Sequence, residues 1–204
     1  MIKNIVFDLG NVLISFKPEE FFDNNSYRQE AKNVFINEIF KSREWKMLDN
    51  GDISTKEAIE AIAAKSSLKT EEITSVFNLR TKIIFSLAGN TKLLPALKEQ
   101  GFKLYYLSNF PDDIFDEVYN QYDFFKYFDG GIISSRVNAS KPNRKIFEIF
   151  LEKYSLSADE CLYFDDSELN VKAAGSVGMA GLHIQNPEDL RKQIEKAIDW
   201  IFEV

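Results

Sequence analysis

Two apolar runs in this chain each end on acid. Asn4-Ile5-Val6-Phe7 runs into Asp8-Leu9-Gly10-Asn11, and Cys161-Leu162-Tyr163-Phe164 runs into Asp165-Asp166-Ser167. Short apolar runs of this kind read as buried parallel strands. In an open α/β sheet the carboxyl ends of such strands hold the ligand. If the two strands are neighbours, Asp8, Asp165 and Asp166 converge on one spot. Two like charges about 4 Å apart repel by roughly 4 kcal/mol at an effective dielectric of about 20. A divalent cation, or a proton kept by a raised pKa, relieves that repulsion. The acids therefore mark a candidate metal site.

Other residues could join them. Gly10 and Asn11 permit a tight turn that aims Asp8, although an aspartate at a strand end is often only a turn former. Ser108-Asn109 follows the apolar run Tyr105-Tyr106-Leu107. A hydroxyl and an amide there can cradle an oxyanion or phosphate with helix N–H groups, or simply cap a helix. In Ser140-Lys141-Pro142, proline suits the first position of a helix and puts Lys141 at its N-cap. Lysine brings no acceptor to that place, and its ammonium opposes the helix dipole. Facing carboxylates or a phosphate, it becomes sensible. Cys161, the single cysteine, sits in an apolar run and reads as a small core residue. His183, the one histidine, reads as structural. Trp45 and Arg80 read as core packing or a surface ion pair before a substrate contact, and Phe21-Phe22 and Phe124-Phe125 as core.

The positioning elements follow from periodicity. Strands are expected at Asn4–Asp8, Lys103–Leu107, Gly131–Ser134, Cys161–Phe164 and Gly181–Ile184. Helical spacing separates the later ones at Asp112–Tyr122, Pro142–Tyr154, Glu168–Val177 and Glu188–Ile201. Thr91–Gln100, closed by Gly101, leads into the second strand. This alternation implies a parallel sheet with right-handed crossovers. Between Lys17 and Leu87 there is no convincing strand. Helical patterns run instead over Pro18–Phe40, Glu44–Leu48, Thr55–Ala64 and Thr70–Phe85. Asn50-Gly51 is a turn signal, and Ser54 with Glu57 makes a capping box. An all-helical insertion directly after the first strand reads as a lid.

Composition narrows the class. The chain has 204 residues and a formal charge of −7, which argues against a nucleic-acid footprint. No run approaches the ~20 apolar residues that span a membrane, and Met1 stands too close to the first strand for a cleaved leader. A cytoplasmic, reduced, soluble protein is expected.

Four segments together resemble the haloacid dehalogenase superfamily. They are Phe7-Asp8-Leu9-Gly10-Asn11-Val12-Leu13, Leu107-Ser108-Asn109, Lys141-Pro142 with Ile146-Phe147, and Phe164-Asp165-Asp166-Ser167 through Asn170, Ala173-Ala174 and Gly178-Met179. The resemblance implies a Rossmann-like, parallel five-stranded α/β core at residues 1–16 and 88–204, with a helical cap at residues 17–87. It implies that Asp8 is the nucleophile, forming an aspartyl-phosphate. Asp8, the Gly10 carbonyl and Asp166 would hold Mg²⁺, with Asp165 and Asn170 supporting them. Ser108, Asn109 and Lys141 would grip the phosphoryl oxygens of a small phosphorylated substrate. One departure stands out. Most phosphatases of the family carry a second aspartate, the general acid and base, where this chain has Gly10. That help is typically worth about 10²–10⁴-fold. A substrate with a stable leaving group, such as a sugar 1-phosphate, would suit the loss, and the Asp-Leu-Gly-Asn start resembles sugar-phosphate phosphatases. The alternatives are a metal-independent 2-haloacid dehalogenase and a catalytically weak binding protein on the same fold.

Overall fold

The computed structural model describes residues 1–198. In chain order the first half holds β1 (Asn4–Phe7), β2 (Ile14–Phe16), α1 (Pro18–Asn24), α2 (Gln29–Asn33), a π-helical stretch at Val34–Phe40, α3 (Arg43–Asn50), α4 (Thr55–Ala63), α5 (Thr70–Phe77), α6 (Arg80–Ile83) and β3 (Ile84–Ser86). The second half holds α7 (Ala88–Thr91), α8 (Leu93–Glu99), β4 (Lys103–Ser108), α9 (Asp112–Gln121), β5 (Gly130–Ile133), α10 (Arg144–Tyr154), β6 (Cys161–Asp165), α11 (Glu168–Ser176), β7 (Ala180–His183) and α12 (Leu190–Ile198).

Five parallel strands form one sheet in the order β5-β4-β1-β6-β7. β1 is central, with all four residues buried, because helices cover both faces of the sheet. Side chains alternate between two cores. Ile5 and Phe7 pack with Phe164, Leu94, Phe115 and Leu190 on one face. Val6 packs with Tyr105, Tyr163, Phe147 and Phe150 on the other. β1 pairs with β4 on one side and β6 on the other, so the strand order reverses beside β1. That reversal is where open α/β sheets bind ligands.

The inserted helices carry a core of their own, in which Phe22, Phe35, Trp45 and Phe77 are buried. Ser54 and Glu57 form the expected capping box at the start of α4. α8 ends as read: Gly101 has φ +88°, and Phe102 N–H bonds to the Leu97 carbonyl at 3.2 Å.

Three expectations need correction. Thr70–Phe85 is not one helix, because Ile84–Ser86 pairs antiparallel with Ile14–Phe16. β-branched and aromatic residues took a strand partner that lies far away in sequence. Pro18–Phe40 breaks at Asn25, whose extended backbone ends α1. Lys141 is not an N-cap. α10 starts at Arg144, capped by Asn143, whose side chain accepts from Lys145 N–H. Asparagine offers the acceptor that lysine lacks. The helix expected over Glu188–Ile201 begins as a 3₁₀ turn at Pro187–Asp189 and continues as α12, and its end at Ile201 lies outside the described residues. Among the described residues, no helix is long and apolar enough to cross a membrane.

Candidate active site

Sheet register brings the acids together. Phe7 stands opposite Phe164, and Asp8 N–H bonds to the Phe164 carbonyl at 2.8 Å. With side chains alternating, Asp8 and Asp165 continue the face that carries Val6 and Tyr163. Asp8, Asp165 and Asp166 each offer an oxygen within 4.8 Å of the others.

These acids have different environments. Asp165 is wholly buried and fully partnered. Its Oδ2 accepts from Lys141 Nζ at 2.7 Å and from the Tyr163 hydroxyl, and its Oδ1 accepts from Ser167 N–H at 2.7 Å. Asn170 Nδ2 spans both oxygens at 3.0 and 3.1 Å. Asp8 Oδ1 accepts from Leu9 N–H at 2.7 Å and pairs with Lys141 Nζ at 2.9 Å. Asp166 Oδ2 accepts from Asn11 Nδ2 at 2.9 Å. Burial pushes the Asp8 carboxyl up to about 7, against the pull of Lys141 and with the push of Asp165 and Asp166. Burial likewise raises Asp166. Asp165 has spent its oxygens on protein donors, whereas Asp8 and Asp166, both raised by burial, face a shared cavity. An all-oxygen donor set with that imbalance fits a hard divalent cation.

Lys141 is the counter-charge. It is 5% exposed, and its three donors meet Asp8, Asp165 and the Tyr163 hydroxyl, the last at 2.9 Å. Burial would lower the ammonium, but Asp165 and then Asp8 outweigh it and hold the group above its usual value. The loop leading to α10 is fixed from β4. Asn109 Nδ2 donates to the Lys141 carbonyl at 2.9 Å, and Lys141 N–H donates to Asn109 Oδ1 at 2.8 Å. The Asn109 side chain thus positions Lys141. Ser108 is buried at the end of β4, and α9 starts beyond both residues, at Asp112. Neither caps it.

A cavity of about 190 Å³ opens over Asp8 and Asp166. Gly10, Ser108 and Lys141 line its floor, while Phe40, Trp45 and Asp49 line it from the inserted helices. Three members of this site were not read from the sequence: Asp49, Asn11 and Tyr163. Tyr163 could have been found by counting two residues back from Asp165 along a strand. Asn11 was read only as a turn residue. It adopts φ +53° and uses its side chain twice, toward Asp166 and as acceptor of Phe16 N–H at 3.1 Å. Asp49 precedes the Asn50-Gly51 turn signal, and no local pattern separates it from a surface acid.

The remaining readings stand. His183 Nε2 lies 2.9 Å from the Asp166 carbonyl and braces that loop. Cys161 is buried, and burial pushes its thiol up to about 11, far from thiolate chemistry. Arg80 pairs with Asp113 at 2.7 Å and lies over the Phe77 ring. Trp45 is both a core residue and part of the cavity wall. Phe124 stacks on Phe125 in the core.

The sheet thus places carboxylates at the ends of its central strands, beneath an inserted helical segment. The profile of the haloacid dehalogenase-like hydrolases matches residues 2–178, and the chain belongs to that family. It is 29% identical to the sesquiterpene phosphatase astK of Aspergillus oryzae over 182 residues, covering 89% of each chain. It is 25% identical to a phosphorylated carbohydrates phosphatase of Thermotoga maritima, covering 88% of this chain and 83% of that one. Its fold is similar to that of the HAD family enzyme bt-2542 of Bacteroides thetaiotaomicron, with TM-score 0.76 and 23% identity over 95% of this chain and 98% of that one. The wild-type form of that enzyme has also been solved with magnesium and inorganic phosphate.

Proposed function

We propose that this hydrolase is a Mg²⁺-dependent phosphomonoesterase acting through Asp8 on a small phosphorylated metabolite. The observation that carries it is the pairing of Asp8 and Asp166 on one cavity with Lys141 committed to Asp8 and Asp165. Asp8, Asp166 and the Gly10 carbonyl would hold the cation. When bound, Mg²⁺ neutralises the repulsion between a carboxylate nucleophile and a dianionic phosphate. A metal-independent dehalogenase would leave two buried carboxylates, Asp8 and Asp166, on one cavity with Lys141 already shared between Asp8 and Asp165.

The chain's own groups do the rest. Leu9 N–H and Lys141 hold Asp8 Oδ1, so Oδ2 is the oxygen available to phosphorus. It attacks, the ester oxygen leaves with its electron pair, and an aspartyl-phosphate remains. Water then attacks that phosphorus, and the bond to Asp8 breaks, restoring the carboxylate. Ser108 would receive the phosphoryl oxygens, Lys141 would add charge, and Asn109 would keep Lys141 in place. Residues 17–87 act as a cap that closes over the ester.

Substrate class follows from the wall. Phe40 and Trp45 face the cavity from the cap, and Asp49 is the polar side chain among them. An apolar-faced organic group suits this wall better than a polyol, which would leave hydroxyls without partners. A sugar 1-phosphate retains the merit of a more acidic leaving oxygen. The relatives named for a sesquiterpene and for phosphorylated carbohydrates span both choices.

The test is phosphate release from p-nitrophenyl phosphate with Mg²⁺ and with chelator, for the wild type and Asp8→Asn. Turnover that needs Mg²⁺ and disappears in Asp8→Asn is expected. Chelator-insensitive turnover of a 2-haloacid, without phosphatase activity, would overturn it.

A further inference from the structure

The open question at this site is who handles the leaving-group proton, because position 10 has no side chain. An added Cβ at Gly10 meets nothing within 4 Å, so the space above the turn is free. Across the cavity, α3 delivers Asp49 into the same wall as Asp8. Its backbone is fixed by the core at three places. Ser134 Oγ donates to the Asp49 carbonyl. Asn138 Nδ2 donates to the carbonyls of Asn50 and Gly51, at 3.3 and 3.1 Å. Gly51, at φ +76°, packs so closely on Ser135 that a Cβ would lie 2.2 Å from its carbonyl oxygen. A residue on an inserted helix is thereby held in register with the core acids.

We propose that Asp49 is the general acid and base of this site, taking from the cap the task that position 10 cannot perform. The proposal rests on the phosphatase reading above. In the first step an Asp8 oxygen bonds to phosphorus, the ester phosphorus–oxygen bond breaks, and the leaving oxygen takes the Asp49 proton. In the second, a water oxygen bonds to phosphorus and the bond to Asp8 breaks, its electron pair returning to Asp8. The water's proton passes to the Asp49 carboxylate. The carboxyl is restored, and the sum is ester plus water giving alcohol plus phosphate.

The surroundings agree with that duty. Burial and then Asp8 push the Asp49 carboxyl up to about 7, while Lys141 and a hydrogen bond from the Trp45 side chain pull it down. Asp8 and Lys141 come from the core, and Trp45 lies one turn earlier on α3. An acid poised near neutrality can give and take a proton in one cycle.

The experiment compares kcat/KM for p-nitrophenyl phosphate and glycerol 2-phosphate, both with saturating Mg²⁺, in the wild type, Asp49→Asn and Asp49→Glu. This parameter reports the step that breaks the ester, and a nitrophenolate leaves without help. Asp49→Asn should lose about 10²–10⁴-fold on the alkyl ester and less than about tenfold on the aryl ester. Its alkyl-ester profile should also lack the alkaline fall that follows deprotonation of Asp49 in the wild type. Asp49→Glu keeps a carboxyl and should recover part of the alkyl activity and that limb. Equal losses on both esters, no loss on either, or no recovery in Asp49→Glu would overturn the proposal, including where melting shows Asp49→Asn unfolded. A wild type inactive even on the aryl ester would instead overturn the phosphatase reading, and this proposal with it.

Discussion

At the residue scale the site is an exercise in compensating charge. Lys141 stands between two carboxylates, with Tyr163 closing the triangle. Removing one partner of such a group leaves the others buried and unpaired, at a cost of about 3–5 kcal/mol. Lys141→Met should therefore lower the unfolding free energy by that order and abolish turnover, as read by urea denaturation and phosphate release. Tyr163→Phe removes one donor from Asp165 and one acceptor from Lys141, and a loss of about 1–3 kcal/mol is expected in the same assay. Gly10 allows a complementary test. Since an added Cβ there meets nothing within 4 Å, adding Gly10→Asp to Asp49→Asn should return at least about tenfold of the lost kcat/KM on an alkyl ester. No return would mean that the free space at position 10 does not reach the leaving oxygen. The convergence of Asp8, Asp165 and Asp166 was legible because strand ends concentrate chemistry, whereas Lys141 was singled out for a helix cap that Asn143 occupies instead. Tyr163 and Asp49 were not legible, because one needed the register of β6 and the other the docking of α3.

At the element scale the five strands of the parallel sheet were legible to within a residue, since a buried parallel strand announces itself as an apolar run, whereas β2 and β3 were not read as strands. β6 was read as Cys161–Phe164 and spans Cys161–Asp165. The helical segment was harder. Ile83-Ile84-Phe85 continues a helical pattern, and only the distant Ile14–Phe16 makes it a strand. Docking of α3 on the loop Ser134–Asn138 sets the height of the roof above the acids. Gly51→Ala combines a left-handed backbone with a clash at Ser135. The backbone alone costs about 1–2 kcal/mol. The variant should lose at least that much stability by denaturant midpoint, and more activity on alkyl than on aryl phosphates as Asp49 shifts. Thr55 Oγ1 and Arg80 both bond Asp113 of α9, at 2.7 Å each, on the other edge of the same seam.

At the scale of the whole molecule, buried acids make stability depend on cation and pH. Asp49 has a folded-state value of about 7, above the unfolded value of about 3.9. The folded chain thus holds its proton more tightly, so this contribution is full below pH about 4 and is lost as pH rises through about 7. In chelator, wild-type melting temperature should fall across that window, and Asp49→Asn should fall less, as followed by circular dichroism. Mg²⁺ at a hundred times its dissociation constant should add about 2.7 kcal/mol to the wild type, and little to Asp8→Asn. Finally, Phe16 and Ile84 face each other in one antiparallel pair, so the chain departs into the inserted helical segment and comes back at adjacent points, roughly 5 Å apart. Topologically the inserted segment is a cartridge. Two cuts at that ribbon would release it, a short turn would reseal the sheet, and a cap from another chain could be grafted across the same gap. With the roles proposed for Asp49 and Asp8, the proton donor would travel with the cartridge, while the nucleophile stayed behind.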